Sequence, residues 1–231
     1  MKVVILCGGK GTRLAEETKT QPKPMVKIGS QPIIKHIIEL FKRQGFNNFI
    51  LALGYKGKII KDYFRNSRFN IELIDTGVEA LTGGRLLRLK KNLLNERFFL
   101  TYGDGLAKIN LKKLLKFHIK HGKLATVTAV RPPARFGELY IEGKFVKKFQ
   151  EKPQTDSGWI NGGFFIFEPE IFKYLKNDKT ILEREPLEKI SKKNQLAAFK
   201  SYDFWQCMDT LRDKELLTRI WKSKNVPWKK N

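Results

Sequence analysis

The sequence predicts an α/β fold: a mostly parallel mixed sheet flanked by helices. Three observations lead there. Short β-branched and aromatic runs alternate with segments of helical periodicity through residues 1–130. The first run, Val3-Val4-Ile5-Leu6, passes straight into Gly8, Gly9 and Gly11, as a buried strand ending on a loop does. The 231 residues, 41% of them hydrophobic, contain no repeat and no low-complexity linker, which suits one large domain with a real core.

After the glycine loop comes a cationic stretch, Arg13 and then Lys23 within Gln21-Pro22-Lys23-Pro24-Met25. Pro32 sits at a first-turn position, and Ile33, Ile37, Leu40 and Phe41 recur at helical spacing until Gly45 stops the helix. His36 falls in this helix and reads as a packing or surface residue rather than a catalytic one. Residues 48–53 form a second strand, Gly54-Tyr55-Lys56-Gly57 and then a short helix through Phe64 follow, and residues 69–74 form a third strand. Thr82-Gly83-Gly84-Arg85 opens a further helix carrying Leu86, Leu89 and Leu93, and such glycines leave N–H donors facing outward. A plain strand-to-helix turn has the same spacing. A fourth strand, residues 97–102, ends on Gly103-Asp104-Gly105. An aspartate at a strand end suits Mg²⁺, which takes few carboxylates plus phosphate oxygens. A turn-forming aspartate looks identical until a second carboxylate joins it.

Leu111, Leu114, Leu115 and His118 line one side of the next helix, closed by Gly122, and residues 124–130 return to β. Residues 136–141 and 144–150 pair as a hairpin turned by Glu142-Gly143, which delivers Glu151-Lys152-Pro153. Trp159-Ile160-Asn161-Gly162-Gly163 leads into a buried run, residues 164–167, and Pro169 starts a helix. Another helix follows Glu183-Arg184-Glu185-Pro186-Leu187, and residues 196–199 are a short strand. Asp209, ahead of the last helix at Leu211-Arg212-Asp213, reads on its own as an N-cap. The tail, residues 221–231, carries Trp228 and is expected to pack.

The net charge of +23 raises nucleic acid as a partner. Its makeup argues otherwise: 34 Lys against 12 Arg, scattered from Lys2 to Lys230, with no zinc-finger, RNP or zipper pattern. Dispersed lysines read as solvated faces that help to gather nucleotide polyanions. No apolar run reaches membrane-span length, the N-terminus begins as a strand, and Cys7 and Cys207 give no disulfide framework. The expectation is a cytoplasmic protein without nucleic-acid or membrane partners.

The opening loop decides the chemistry. Glycines let main-chain N–H groups approach an anion, and two basic residues downstream can neutralise a polyphosphate. A dinucleotide fingerprint needs glycine where Leu14 stands, and a Walker A loop needs Ser or Thr where Gly11 stands. What remains, Gly-Gly-x-Gly-Thr-Arg-Leu followed by Pro-Lys-Pro-Met, resembles the signature of sugar-phosphate nucleotidyltransferases. The strings Thr82-Gly83-Gly84-Arg85, Thr101-Tyr102-Gly103-Asp104-Gly105, Arg135-Phe136-Gly137, Glu151-Lys152-Pro153, Ile160-Asn161-Gly162-Gly163 and Met208-Asp209-Thr210-Leu211-Arg212-Asp213 are similar to those of the branch that joins CTP to glucose 1-phosphate.

That resemblance implies a Rossmann-like fold of the nucleotide-diphospho-sugar transferase type, with a small β-hairpin and C-terminal helical appendage. Residues 1–130 would serve mainly the nucleotide and residues 131–231 mainly the sugar phosphate. It implies Mg²⁺ on Asp104 and Asp209, with Arg13 and Lys23 completing the catalytic set. Leu6, Cys7, Gly8, Gly9, Lys10, Gly11, Thr12 and Arg13 would hold the nucleotide with Thr82, Gly83, Arg85 and Gly103. Gly137, Glu151, Lys152, Asn161 and Gly162 would line the sugar-phosphate pocket. UTP or dTTP, another phosphorylated acceptor, and a non-catalytic NDP-sugar-binding subunit stand as alternatives. Two departures are visible: the family's long insertion after Tyr63-Phe64, tied to subunit contacts in a homo-oligomer, is missing, and Cys7 and Cys207 replace Ala and Pro.

Overall fold

Val3, Val4 and Ile5 are fully buried because their strand, β1 (Lys2–Leu6), runs through the middle of the molecule. The computed structural model describes residues 1–132, 138–150 and 158–230. After β1 and a short helix α1 (Ala15–Thr18), β2 (Lys27–Ile28) pairs with β3 (Gln31–Pro32), and α2 (Ile33–Arg43) follows. Next come β4 (Asn48–Leu53), α3 (Gly57–Phe64), β5 (Asn70–Asp75), α4 (Thr82–Arg88), α5 (Lys90–Leu93), β6 (Phe98–Tyr102) and β7 (Gly105–Ala107). Then follow α6 (Leu111–His121), β8 (Ala125–Val130), the hairpin β9 (Glu138–Glu142) with β10 (Phe145–Gln150), and β11 (Ile160–Phe167). The chain ends with α7 (Glu185–Lys192), β12 (Leu196–Ser201), β13 (Trp205–Cys207) and α8 (Leu211–Lys222).

The main sheet has seven strands in the order β12-β8-β11-β6-β1-β4-β5. Every pairing is parallel except those of β11, which runs against both β6 and β8. Strand alternation splits the core in two. Val3 and Ile5 pack with Ile37 and Phe41 of α2, Leu217 of α8 and Trp228, whereas Val4 and Leu6 pack with Leu86, Leu89, Phe172 and Ile190. The fold class read from the sequence is the one observed.

Local differences have plain causes. Pro32 is the N-cap residue of α2 rather than a first-turn residue, held extended by its strand pairing with Lys27. The helix opened by Thr82 breaks at Leu89 into α4 and α5, and the segment after Pro169 is a 3₁₀ helix, Pro169–Tyr174. The tail packs as expected: Trp228 is 1% exposed, and its carbonyl accepts a 2.6 Å hydrogen bond from Arg43. His36 is a packing residue, its ring nitrogen 2.9 Å from the Ile28 carbonyl and its edge against Trp221. Only residues 65–69 connect α3 to β5, so the connection is short.

Candidate active site

β1 is flanked by β4 on one side and β6 on the other, so the chain reverses direction across the sheet at its carboxyl end. Open α/β sheets bind ligands at such a point. A cleft of about 730 Å³ opens there, lined by residues 6–13, Lys23, Thr82, Tyr102, Asp104, Asn161, Glu183 and Asp209. Because β11 is antiparallel, its beginning, not its end, reaches this edge: Asn161 pairs with Ala129 and Phe164 with Thr101.

The glycine loop has the form of an anion cradle. The Gly8 carbonyl is taken by Tyr55 N–H and by the Arg85 guanidinium, while among the described residues none accepts from the N–H groups of Gly8, Gly9, Lys10 or Gly11. Gly11 has φ +66, which favours glycine, and a Cβ on Gly8 would sit 2.0 Å from an Arg85 nitrogen. Lys10 pairs with Glu79 at 3.0 Å at the cleft mouth.

Lys23 is the centre of the site. Flanked by Pro22 and Pro24 in a 3₁₀ turn, it is 8% exposed, and its Nζ lies 2.5 Å from Asp104 Oδ2 and 2.5 Å from Asp209 Oδ1. Arg13 reaches the other Asp209 oxygen at 2.7 Å. Burial alone would lower the Lys23 pKa, but the two carboxylates outweigh it and hold the ammonium above the ordinary lysine range. Burial likewise opposes ionisation of Asp209, and Lys23 and Arg13 outweigh it, so this carboxyl is held below the usual range. The aspartates meet through a ladder that the sequence does not announce: β7 pairs with β13, and Met208 N–H donates to the Asp104 carbonyl at 2.9 Å. Asp209 is not the N-cap of α8; Thr210 is, in a capping box with Asp213.

Two nucleotide-side expectations take a different form. Gly83 and Gly84 N–H groups do not face outward; both donate to the Thr180 carbonyl, at 2.9 and 3.1 Å. Arg85, 4% exposed, spends its guanidinium on the Gly8, Leu53, Gly77 and Val78 carbonyls and the Thr76 hydroxyl. It fastens three loops to one another rather than projecting into the cleft.

Thr82 lies beside a residue that sequence reasoning passed over. Its hydroxyl donates to Glu183 at 2.6 Å, and the Tyr102 hydroxyl donates to the other Glu183 oxygen at 2.5 Å. Asn161 Nδ2 donates to Tyr102 at 3.3 Å. Gly162 and Gly163 make this possible, because β11 shifts register there and a Cβ would strike Val130 at one position and Tyr102 at the other. Glu183 precedes a helix as one acidic residue among several, so the sequence carries no signal that would single it out.

Gly103 packs against Pro24, leaving no room for a side chain. Thr12 opens the short 3₁₀ turn that carries Arg13. Cys7 is buried, its thiol pushed up in pKa, and Cys207 is raised to about 12 by burial and by Asp209 and Asp104. Cys7 packs in the core, and the Cys207 thiol donates to Asp209 Oδ2 at 3.7 Å. Gly137, Glu151 and Lys152 lie outside the described residues.

A glycine loop in the form of an anion cradle, with a buried lysine and two carboxylates at a topological switch point, is the arrangement of a nucleotide-handling α/β enzyme. The chain belongs to the nucleotidyl transferase family, whose sequence profile matches residues 2–211. It is 44% identical to the glucose-1-phosphate cytidylyltransferase of Salmonella typhi over 254 aligned residues, covering 99% of each chain. That alignment is longer than the 231-residue chain, so the relative carries residues that this chain lacks. Among solved structures, HddC from Yersinia pseudotuberculosis, complexed with GMP-PN, superposes with a TM-score of 0.73 at 27% identity, covering 95% of this chain and 99% of that one. UDP-glucose pyrophosphorylase in complex with UDP-glucose superposes with a TM-score of 0.76 at 21% identity, covering 96% and 98%, a likeness of fold. No described helix is long and apolar enough to cross a membrane.

Proposed function

We propose that this protein joins CTP and glucose 1-phosphate to give CDP-glucose and pyrophosphate, with residues 1–130 serving mainly the nucleotide and residues 131–231 mainly the sugar phosphate. The observation that carries the reading is the convergence of Asp104 and Asp209 on Lys23, beside a loop with free N–H donors. The choice of CTP and glucose 1-phosphate rests on the Salmonella typhi relative.

The carboxylates fit a divalent cation. Both already converge on one cation position, filled by the Lys23 ammonium, and their hard oxygens suit Mg²⁺. Among the described residues no group of three or more His, Cys, Asp and Glu side chains gathers to hold a metal, so Asp104 and Asp209 would share it with phosphate oxygens and water. When bound, Mg²⁺ supplies Lewis-acid neutralisation of the phosphate oxygens.

The remaining work falls to the chain. An oxygen of the sugar phosphate attacks the α-phosphorus of the nucleotide, the bond from that phosphorus to the bridging oxygen breaks, and pyrophosphate leaves. A phosphate monoester is already a nucleophile at neutral pH, so no general base is required. The task is to bring two anions together and neutralise them. The loop N–H groups cradle the triphosphate. Lys23 and Arg13, released from Asp209, turn to the reacting phosphates, and Asn161 faces the sugar phosphate.

A pyrophosphate-release panel of four NTPs against several sugar 1-phosphates tests the reading. CTP with glucose 1-phosphate is expected to give the highest kcat/KM, and Asp209→Asn is expected to cut it by orders of magnitude with the fold intact. Release with no pair, or near-normal turnover in Asp209→Asn, refutes it.

A further inference from the structure

Thr82, Glu183, Tyr102 and Asn161 form one hydrogen-bonded chain, and the direction of every link is fixed. Leu182 N–H donates to the Thr82 hydroxyl at 3.0 Å, which leaves that hydroxyl's proton for Glu183. Tyr102 gives its proton to the other carboxylate oxygen. Burial and the neighbouring Glu183 hold the phenol far above its ordinary pKa, so it remains a donor. The Tyr102 oxygen is then free to accept from Asn161 Nδ2, while Gly163 N–H donates to Asn161 Oδ1 at 2.8 Å. An amide could sit either way round in isolation. Here the two contacts allow one orientation, with the second Nδ2 hydrogen left for the cleft, where Asn161 is exposed.

We infer that Glu183 is a positioning residue for the sugar phosphate, acting through Tyr102 to fix the amide of Asn161. The inference rests on the reading that Asn161 faces that substrate. Only a carboxylate meets both requirements at position 183. Two hydroxyls aim their protons at it, one from each side, and it has an acceptor for each. An amide there offers one oxygen and one NH₂. If its oxygen stays on Thr82, its NH₂ faces a Tyr102 oxygen that already accepts from Asn161, and the phenol proton loses its partner. Asn161 then loses its preferred setting, while Thr82 keeps both of its contacts.

The test is a pair of variants. Tyr102→Phe deletes the hydroxyl and leaves Glu183 on Thr82; Glu183→Gln keeps the shape and removes one acceptor. Each is expected to raise KM for glucose 1-phosphate about tenfold, with a matching rise in the calorimetric Kd, on the scale of one lost directed hydrogen bond. KM for CTP is expected to move less than about twofold. The double variant should be no worse than either single one, since both cut the same chain. Equal effects on both substrates, an additive double variant, or an unaltered KM for glucose 1-phosphate in Tyr102→Phe would overturn the inference. Absence of pyrophosphate release by the wild type with every substrate pair refutes the function instead, and the calorimetric comparison then decides the inference alone. In that case a wild type that binds no glucose 1-phosphate overturns it as well.

Discussion

Replacing Lys23 by Met is expected to tighten divalent-metal binding while abolishing most turnover. In the free protein the Lys23 ammonium sits between the two carboxylates that would hold the metal, 2.5 Å from an oxygen of each. A cation arriving alone has to evict another cation. One unit charge pair about 4 Å apart is worth about 4 kcal/mol at an effective dielectric near 20. If water in the cleft removes two-thirds of that, about 1.4 kcal/mol of opposition remains, or about tenfold in Kd. Nucleotide changes the balance, because its phosphates give Lys23 and Arg13 new partners. Metal and nucleotide should therefore each strengthen the other's binding by the same factor. The assay is a Mn²⁺ titration followed by the electron paramagnetic resonance signal of the free ion, with and without CTP. Lys23→Met is expected to bind Mn²⁺ at least about tenfold more tightly than wild type without CTP, and the gap should narrow when CTP is present. Equal affinity of the two proteins without nucleotide, in a preparation where Asp104→Asn abolishes Mn²⁺ binding, would refute the competition.

Two other outcomes follow from buried groups. Arg85→Lys offers one ammonium where a guanidinium served five acceptors, so the half-buried Gly77 and Val78 carbonyls lose the fork that holds them to the Gly8 loop. A loss of about 3 kcal/mol or more in urea unfolding is expected, together with a raised KM for the nucleotide as the Gly8 loop loosens; an unchanged unfolding midpoint would refute the clamp. His118 is pulled down to about 4 by burial first, then by His121 and Arg97, and it also faces Thr126 and Glu168. Its folded pKa is depressed, so its contribution is fully present above the unfolded value of about 6.5 and is lost as pH falls towards 4, about 3 kcal/mol over the window. His118→Gln should flatten the stability profile between those limits, and a slope equal to that of wild type would refute the assignment.

The sheet was legible because its strands are short apolar runs between glycines, and the two helical faces because Ile37 and Phe41, or Leu86, Leu89 and Leu93, repeat at the right spacing. The glycine loop was legible because Gly11 at φ +66 and Gly8 against Arg85 leave no place for a side chain. The carboxylates were visible singly, at a strand end and before a helix, but nothing local joins them. Their meeting depends on a ladder of three-residue strands, too short to carry a pattern, whose outer partner comes almost at the end of the chain. Glu183 and the inward turn of Arg85 were illegible for a related reason. A hydrogen bond across 101 residues, or a guanidinium closing on carbonyls of distant loops, leaves no periodicity behind.

The β7–β13 ladder also sets the order in which the two carboxylates of the cleft arrive. A chain synthesised through β12 owns every strand of the main sheet, the glycine loop, Lys23 and Asp104. It lacks the second carboxylate, because 186 residues separate Asp209 from Lys23. In such a chain Lys23 meets Asp104 without the second of its two carboxylate partners. The cluster at the cleft is therefore completed only when β13 joins β7.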